Sequence, residues 1–84
     1  MNWDVKEAKI TGDLEFEVCF EDGTSGKVKF FPSHLFGVFE KLKNPDFFRK
    51  LSITDGFVSW PNEIDLASDA MYFNIKQNGE WILK

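Results

Sequence analysis

From Leu14 to Glu21 the chain alternates apolar and polar side chains with a period of two. Leu14, Phe16, Val18 and Phe20 fall on one side, and Glu15, Glu17, Cys19 and Glu21 on the other. A strand presents alternate residues to opposite faces, so this stretch predicts a β-strand with one face committed to a core. Asp22-Gly23-Thr24 follow as a turn, and Val28 and Phe30 then alternate with Lys27 and Lys29, which makes the pair a hairpin. The apolar faces must coincide, so even positions pair with even positions. The register this predicts sets Val18 opposite Val28, Phe16 opposite Phe30, Glu17 opposite Lys29 and Cys19 opposite Lys27, with Gly26 beneath the ring of Phe20. Val5 to Ile10, turned by Thr11-Gly12-Asp13, supplies a preceding strand and completes a three-stranded meander.

Beyond the hairpin the period changes. Phe31-Pro32-Ser33 ends the strand, with Ser33 as helix N-cap. Leu35, Val38, Phe39 and Leu42 lie at the spacing of one apolar helix face, interrupted by Gly37. Asn44-Pro45-Asp46 stops that helix and starts another, as cap, first position and first turn, and Phe47 and Phe48 pin the new turn to the sheet. Leu51–Thr54 and Phe57–Trp60 flank Asp55-Gly56, a strong hairpin signal. Ile64–Leu66 is a further strand after Pro61-Asn62-Glu63. Ser68 to Tyr72 supplies one helical turn, and Phe73 to Leu83 reads as a last hairpin around Asn78-Gly79, with Ile75 opposite Ile82. The fold class expected is α+β: a small antiparallel sheet built from hairpins, with one or two short helices on one face.

Composition bounds what such a chain can be. The chain has 84 residues, room for one core, so 1–84 is expected to be a single domain. Ten Phe and three Trp supply the large apolar surface that offsets the ordering entropy. No apolar run approaches the roughly 20 residues a bilayer-spanning helix needs. The first residues lack the basic and apolar regions of a secretory signal, and the lone Cys19 leaves no partner for an internal disulfide. A cytoplasmic protein without membrane association is the expectation. The net charge is −4, and the ten basic residues are scattered between Lys6 and Lys84. Binding to nucleic acid draws on a concentrated positive footprint, so no direct nucleic-acid partner is expected. A mildly acidic surface suits a basic protein partner.

The pattern Phe20-x-Asp22-Gly23, then Phe39-x-x-Leu42-x-x-Pro45-x-x-Phe48, then Val58-x-Trp60-Pro61-Asn62 and Asp65-Leu66 resembles a family of small bacterial domains catalogued as domain of unknown function twenty-four forty-two. The resemblance covers Trp3 to Tyr72, and Trp-Pro-Asn is its most specific part. It divides the chain into a family-like core, 1–72, and a C-terminal hairpin extension, 73–84. It implies an α+β fold and no assigned activity, and it carries no catalytic residues across. Some relatives are fused to a helix-turn-helix domain, which this chain lacks. Many stand beside another small gene in an arrangement like a toxin-antitoxin pair. Two departures stand out: Glu63 occupies a position where Gly commonly follows Trp-Pro-Asn, and the tail after Phe73 runs beyond the usual end.

The chemistry-bearing residues are few. His34 is the sole histidine and Cys19 the sole cysteine, and a nucleophile-base pair would need the two to meet. Glu15, Glu17 and Glu21 line one strand face as a metal or acid-base set would, but Lys27 and Lys29 across the hairpin account for them as cross-strand charge pairs. Cys/His metal spacings and phosphate-cradling Gly-rich loops are absent, so no catalytic, metal or cofactor residue is expected. Trp60, Pro61 and Asn62 are the candidate partner-binding residues, an aromatic beside a tight turn, set against packing of Trp60 inward with Val58. The function expected is a non-catalytic protein-binding or regulatory module, an antitoxin-like member of a two-gene pair, whose partner is another protein held at a sheet edge or at the Trp60 turn. The alternative is a small enzyme or ligand-binding subunit with its site completed across a homo-oligomer interface.

Overall fold

The computed structural model describes residues 3–84, save the side chain of Val38. Two sheets and two α-helices make up a mixed α+β fold. The strands β1 (Val5–Gly12), β2 (Glu15–Phe20) and β3 (Ser25–Phe30) form the expected meander. Two 3-10 helices follow, Pro32–His34 and Gly37–Lys43, then α1 (Pro45–Phe48). The strands β4 (Ser52–Thr54), β5 (Phe57–Trp60) and β6 (Ile64–Asp65) form a second, three-stranded antiparallel sheet. The chain closes with α2 (Ser68–Asn78) and β7 (Glu80–Leu83), which lies beside β3 as the fourth strand of the first sheet.

The predicted faces hold, and the register slips by two residues. Phe16, Val18, Phe20, Val28 and Phe30 are all buried, but Phe16 stands opposite Val28, Glu17 opposite Lys27 and Val18 opposite Gly26. The turn decides this. The Phe20 amide donates to the Thr24 carbonyl at 2.7 Å, the Gly23 amide donates to the Phe20 carbonyl at 2.9 Å, and the Asp22 carboxylate accepts from the Thr24 amide. A tight loop of Glu21, Asp22 and Gly23 therefore replaces the longer one the expected register required. Gly26 is correspondingly not under Phe20. A β-carbon there would lie 2.5 Å from the Gly79 carbonyl oxygen and 2.6 Å from Ile75 Cγ2, so the bare backbone admits the end of α2.

Between Phe31 and Phe48 the chain is more tightly wound than the apolar spacing suggests. Gly37, at φ +60°, opens the second of two 3-10 helices where one α-helical face was expected. Ser33 is not the cap: Phe31 occupies that position, Pro32 opens the helix, and no side chain caps it. Leu35 and Leu42 still reach the core and Phe39 packs at its edge. Asn44 does cap α1, its side-chain oxygen accepting from the amides of Asp46 at 2.9 Å and Phe47 at 3.3 Å. The Asp55-Gly56 hairpin forms with both residues at positive φ (49° and 85°), the two-residue turn whose twist matches the strands. Trp60 pairs with Ile64 across Pro61, Asn62 and Glu63, as the shared face of β5 and β6 requires.

The tail is the largest departure. Residues 68–78 are helix throughout, and no final hairpin exists. Met71 and Ile75, four apart, are buried while Phe73 between them is exposed, a helical division of faces. Asn78-Gly79 acts as the helix stop, not as a hairpin turn: Gly79 sits at φ +80° and its amide donates to the Ile75 carbonyl at 2.7 Å. The chain then enters the sheet parallel to β3, setting Lys29 opposite Ile82 and Phe30 opposite Leu83.

One core serves the whole chain. The inner face of the four-stranded sheet, with Phe16, Val18, Phe20, Val28 and Phe30, is covered by Leu35, Leu42, Phe48, Val58, Trp60, Ile64, Met71 and Ile75. Its centre is aromatic. The Trp60 ring lies 5.9 Å from Phe16, 6.1 Å from Phe30 and 5.7 Å from Phe48, within the range of favourable ring pairs.

Candidate functional site

The exposed face of the four-stranded sheet is a lattice of charge. One row crosses all four strands as Lys9, Glu17, Lys27 and Glu80, each opposite the next. The adjoining row sets Glu15 opposite Lys29 and Ile82, and Lys27 also reaches Glu15 diagonally at 3.8 Å. Of the carboxylates anticipated as charge-paired, Glu15 and Glu17 stand opposite lysines, with partners shifted by the register, while Glu21 lies in the turn beyond β2 with no lysine across from it. Among the described residues no three His, Cys, Asp or Glu side chains gather in a way that could hold a metal ion.

Cys19 and His34 are not brought together. Cys19 is opposite Ser25 at the turn end of the hairpin, while His34 follows Phe30 at the other end, with about 16 Å of strand between. The thiol's hydrogen-bond partner is the neighbouring Phe20 carbonyl at 3.6 Å. The His34 ring packs among Phe30, Phe36 and Phe39 at 6.0, 6.2 and 5.7 Å.

The three residues expected to meet a partner divide. Trp60 is 3% exposed, and its indole N–H donates to the Phe48 carbonyl at 2.8 Å, tying the last turn of α1 to β5. It is a core residue with a satisfied polar handle, the inward packing that was weighed against a partner-facing position. Pro61 and Asn62 are exposed at the tip of the turn.

The exposed aromatics lie elsewhere, and sequence reasoning assigned them no surface role. Phe36 is 70% exposed and Phe31 38% exposed, one on each side of the first 3-10 helix. The ammonium groups of Lys29 and Lys84 stand 5.9 and 5.7 Å from the Phe31 ring centre, in cation–π range. The available signal was that Phe36 falls outside the Leu35, Phe39 and Leu42 set. A second aromatic group lies at the opposite end of the hairpin, where Phe73, 58% exposed, lies 6.0 Å from Trp3 and 5.9 Å from Tyr72. The Tyr72 hydroxyl donates to Asp22 at 2.5 Å. That bond, helped by the Thr24 amide, holds the Asp22 carboxyl down at about 2.

A cleft of about 630 Å³ opens between the β1–β2 turn and α1, with Ile10, Leu14, Leu42 and Phe48 as its floor and Asp13, Lys43 and Arg49 at its rim. Its size suits a small ligand or a few peptide side chains.

Fold and surface define a small α+β domain in which one core joins two sheets and several aromatics remain exposed. The family described as "Protein of unknown function (DUF2442)" matches residues 5–77, and the chain belongs to it. The matched region runs nearly to the end of α2. No curated protein and no solved structure matches the chain.

Proposed function

We propose that the chain is a non-catalytic protein-binding module, the antitoxin-like member of a two-gene pair, and that its partner docks on the aromatic segment around the first 3-10 helix. The observation that carries this reading is the exposure of Phe36 against His34, with Phe31 also exposed five residues earlier in the chain. Burying a Phe side chain contributes about 1.5 to 3 kcal/mol, and aromatic anchors of this kind dominate protein interfaces. Lys29 and Lys84 flank Phe31, so the partner surface is expected to carry an apolar pocket with carboxylates at its rim.

Co-expression with the product of the neighbouring gene, followed by size measurement in solution, tests the proposal. A stable complex that Phe36→Ala weakens at least tenfold, without lowering the melting temperature of the free chain, supports it. No complex, or one indifferent to Phe36→Ala, overturns it. The cleft beneath Asp13, Lys43 and Arg49 favours the second reading, a ligand-binding subunit whose site is completed by another copy.

A further inference from the structure

The four-stranded sheet ends at β7, and among the described residues no strand lies beyond it. The orientation of its backbone groups follows from one bond. The Phe31 amide donates to the Leu83 carbonyl at 2.8 Å, so Leu83 directs its backbone toward β3. Successive residues of a strand direct their N–H and C=O groups to opposite sides. Trp81 and Leu83 therefore bond to β3, and Glu80, Ile82 and Lys84 present theirs to the open side. The same alternation governs the side chains: Leu83 is buried and Trp81 half-buried, whereas Glu80, Ile82 and Lys84 are exposed.

This edge is complementary to itself. Two copies of Glu80-Trp81-Ile82-Leu83-Lys84 aligned antiparallel about Ile82 set Ile82 on Ile82, Glu80 on Lys84 and Lys84 on Glu80. All three pairs join residues whose backbone groups face outward, so each is a hydrogen-bonded pair of an antiparallel ladder. Paired residues share a face, and the Ile82 side chain, 38% exposed in the single chain, meets its own copy. The charge row Lys9, Glu17, Lys27, Glu80 gains Lys84 of the second copy as its next member and keeps alternating in sign. A parallel pairing would instead set Glu80 on Glu80. Native sheets commonly blunt an open edge with charges; here the two end charges are opposite, and they favour one register of one partner.

We propose that β7 is a homodimerisation edge at which two copies of this chain pair antiparallel about Ile82, joining their four-stranded sheets across a two-fold axis. This rests on the sheet edge; it shares Lys84 with the rim of the aromatic docking surface but does not involve Phe36, so Phe36→Ala is expected to leave self-association unchanged. Sedimentation equilibrium of the purified chain over a wide concentration range tests it, with Glu80→Lys, Lys84→Glu and the double variant as partners. The wild type is expected to dimerise. Each single reversal places like charges opposite one another at both symmetry-related pairs and is expected to weaken association about tenfold. The double variant restores opposite charges and is expected to recover it. Melting curves confirm that the variants remain folded, and a variant that does not fold is replaced by Ile82→Lys, which is expected to abolish the dimer. A chain that stays monomeric up to millimolar concentration, or a dimer whose affinity follows neither the single reversals nor the double, overturns the proposal.

Discussion

Glu63 holds φ at +61° and Asn62 at +68°, so the loop after Trp60 places two side-chain-bearing residues in the left-handed region. A positive φ at Asn62 is incompatible with a type I turn over Pro61-Asn62, whose third residue holds φ at about −90°. Asn tolerates this region; Glu does so at a cost of roughly 1 kcal/mol that Gly avoids. Glu63→Gly is expected to stabilise the domain by about 0.5 kcal/mol net of the freedom glycine adds to the unfolded chain, read as a higher urea midpoint. A midpoint at or below the parent would show that the strain is relieved elsewhere. Asp22 gives a second test at this scale. Its carboxyl is lowered from its ordinary 3.8 to about 2, chiefly by the Tyr72 hydroxyl. A depressed folded-state pKa contributes stability that is present above the unfolded value and lost as pH falls through about 2. Tyr72→Phe is expected to return the Asp22 titration, followed by NMR, toward its ordinary range, and to flatten the loss of stability between pH 4 and pH 2. An unchanged titration would remove Tyr72 as the cause.

At the scale of elements, the contact between α2 and β3 distinguishes this fold from a chain of hairpins. It works because Gly26 lacks a β-carbon where the Gly79 carbonyl and Ile75 press against the strand. Gly26→Ala would drive a methyl into backbone that cannot swing aside, at an expected cost of about 1 to 3 kcal/mol. Gly12→Ala is the control, since its added methyl would meet only Glu15 at 3.7 Å, an ordinary contact. Equal denaturation midpoints for the two variants would mean that α2 does not seat on β3 as described. The same contact explains why Asn78-Gly79 was misleading. The dipeptide suits a hairpin turn and a helix stop alike, and only the burial of Met71 and Ile75 with Phe73 outside decides between them.

For the molecule as a whole, stability rests on one aromatic core in a domain that holds only about 4 to 13 kcal/mol in total. Phe16, fully buried and 5.9 Å from Trp60, is expected to cost about 3 to 5 kcal/mol on truncation to Ala. Glu17→Ala, on the charged outer face, should stay within about 0.5 kcal/mol of the parent. Thermal and urea unfolding compare the two directly, and equal losses would contradict the assigned strand face. The net charge of −4 with dispersed basic residues leads to an expectation of no direct binding to duplex DNA. A low-salt gel shift, where electrostatic association is strongest, checks this, and micromolar affinity for arbitrary duplex would refute it.

What the sequence determined by itself is whatever a few neighbouring residues decide: the inward face of β2 and β3, the Asn44-Pro45 helix start, the Asp55-Gly56 turn and the pairing of Trp60 with Ile64. These follow from period-two alternation and from turn chemistry that acts within four or five residues. The α+β class and the family were legible for the same reason. The two-residue shift of the β2–β3 hairpin is local as well, set by a hydrogen-bonded Glu21-Asp22-Gly23 turn that apolar alternation does not specify. The tertiary structure alone decided the helical tail and the parallel docking of β7 on β3. Each depends on which distant surface is available to cover an apolar side chain. The candidate surface belongs with these. Trp60 was open to either a partner-facing or an inward position and is core, whereas Phe36, outside the apolar helix face, was given no role and is exposed, because residue type sets how much burial is worth and only the assembled fold sets which side chains obtain it.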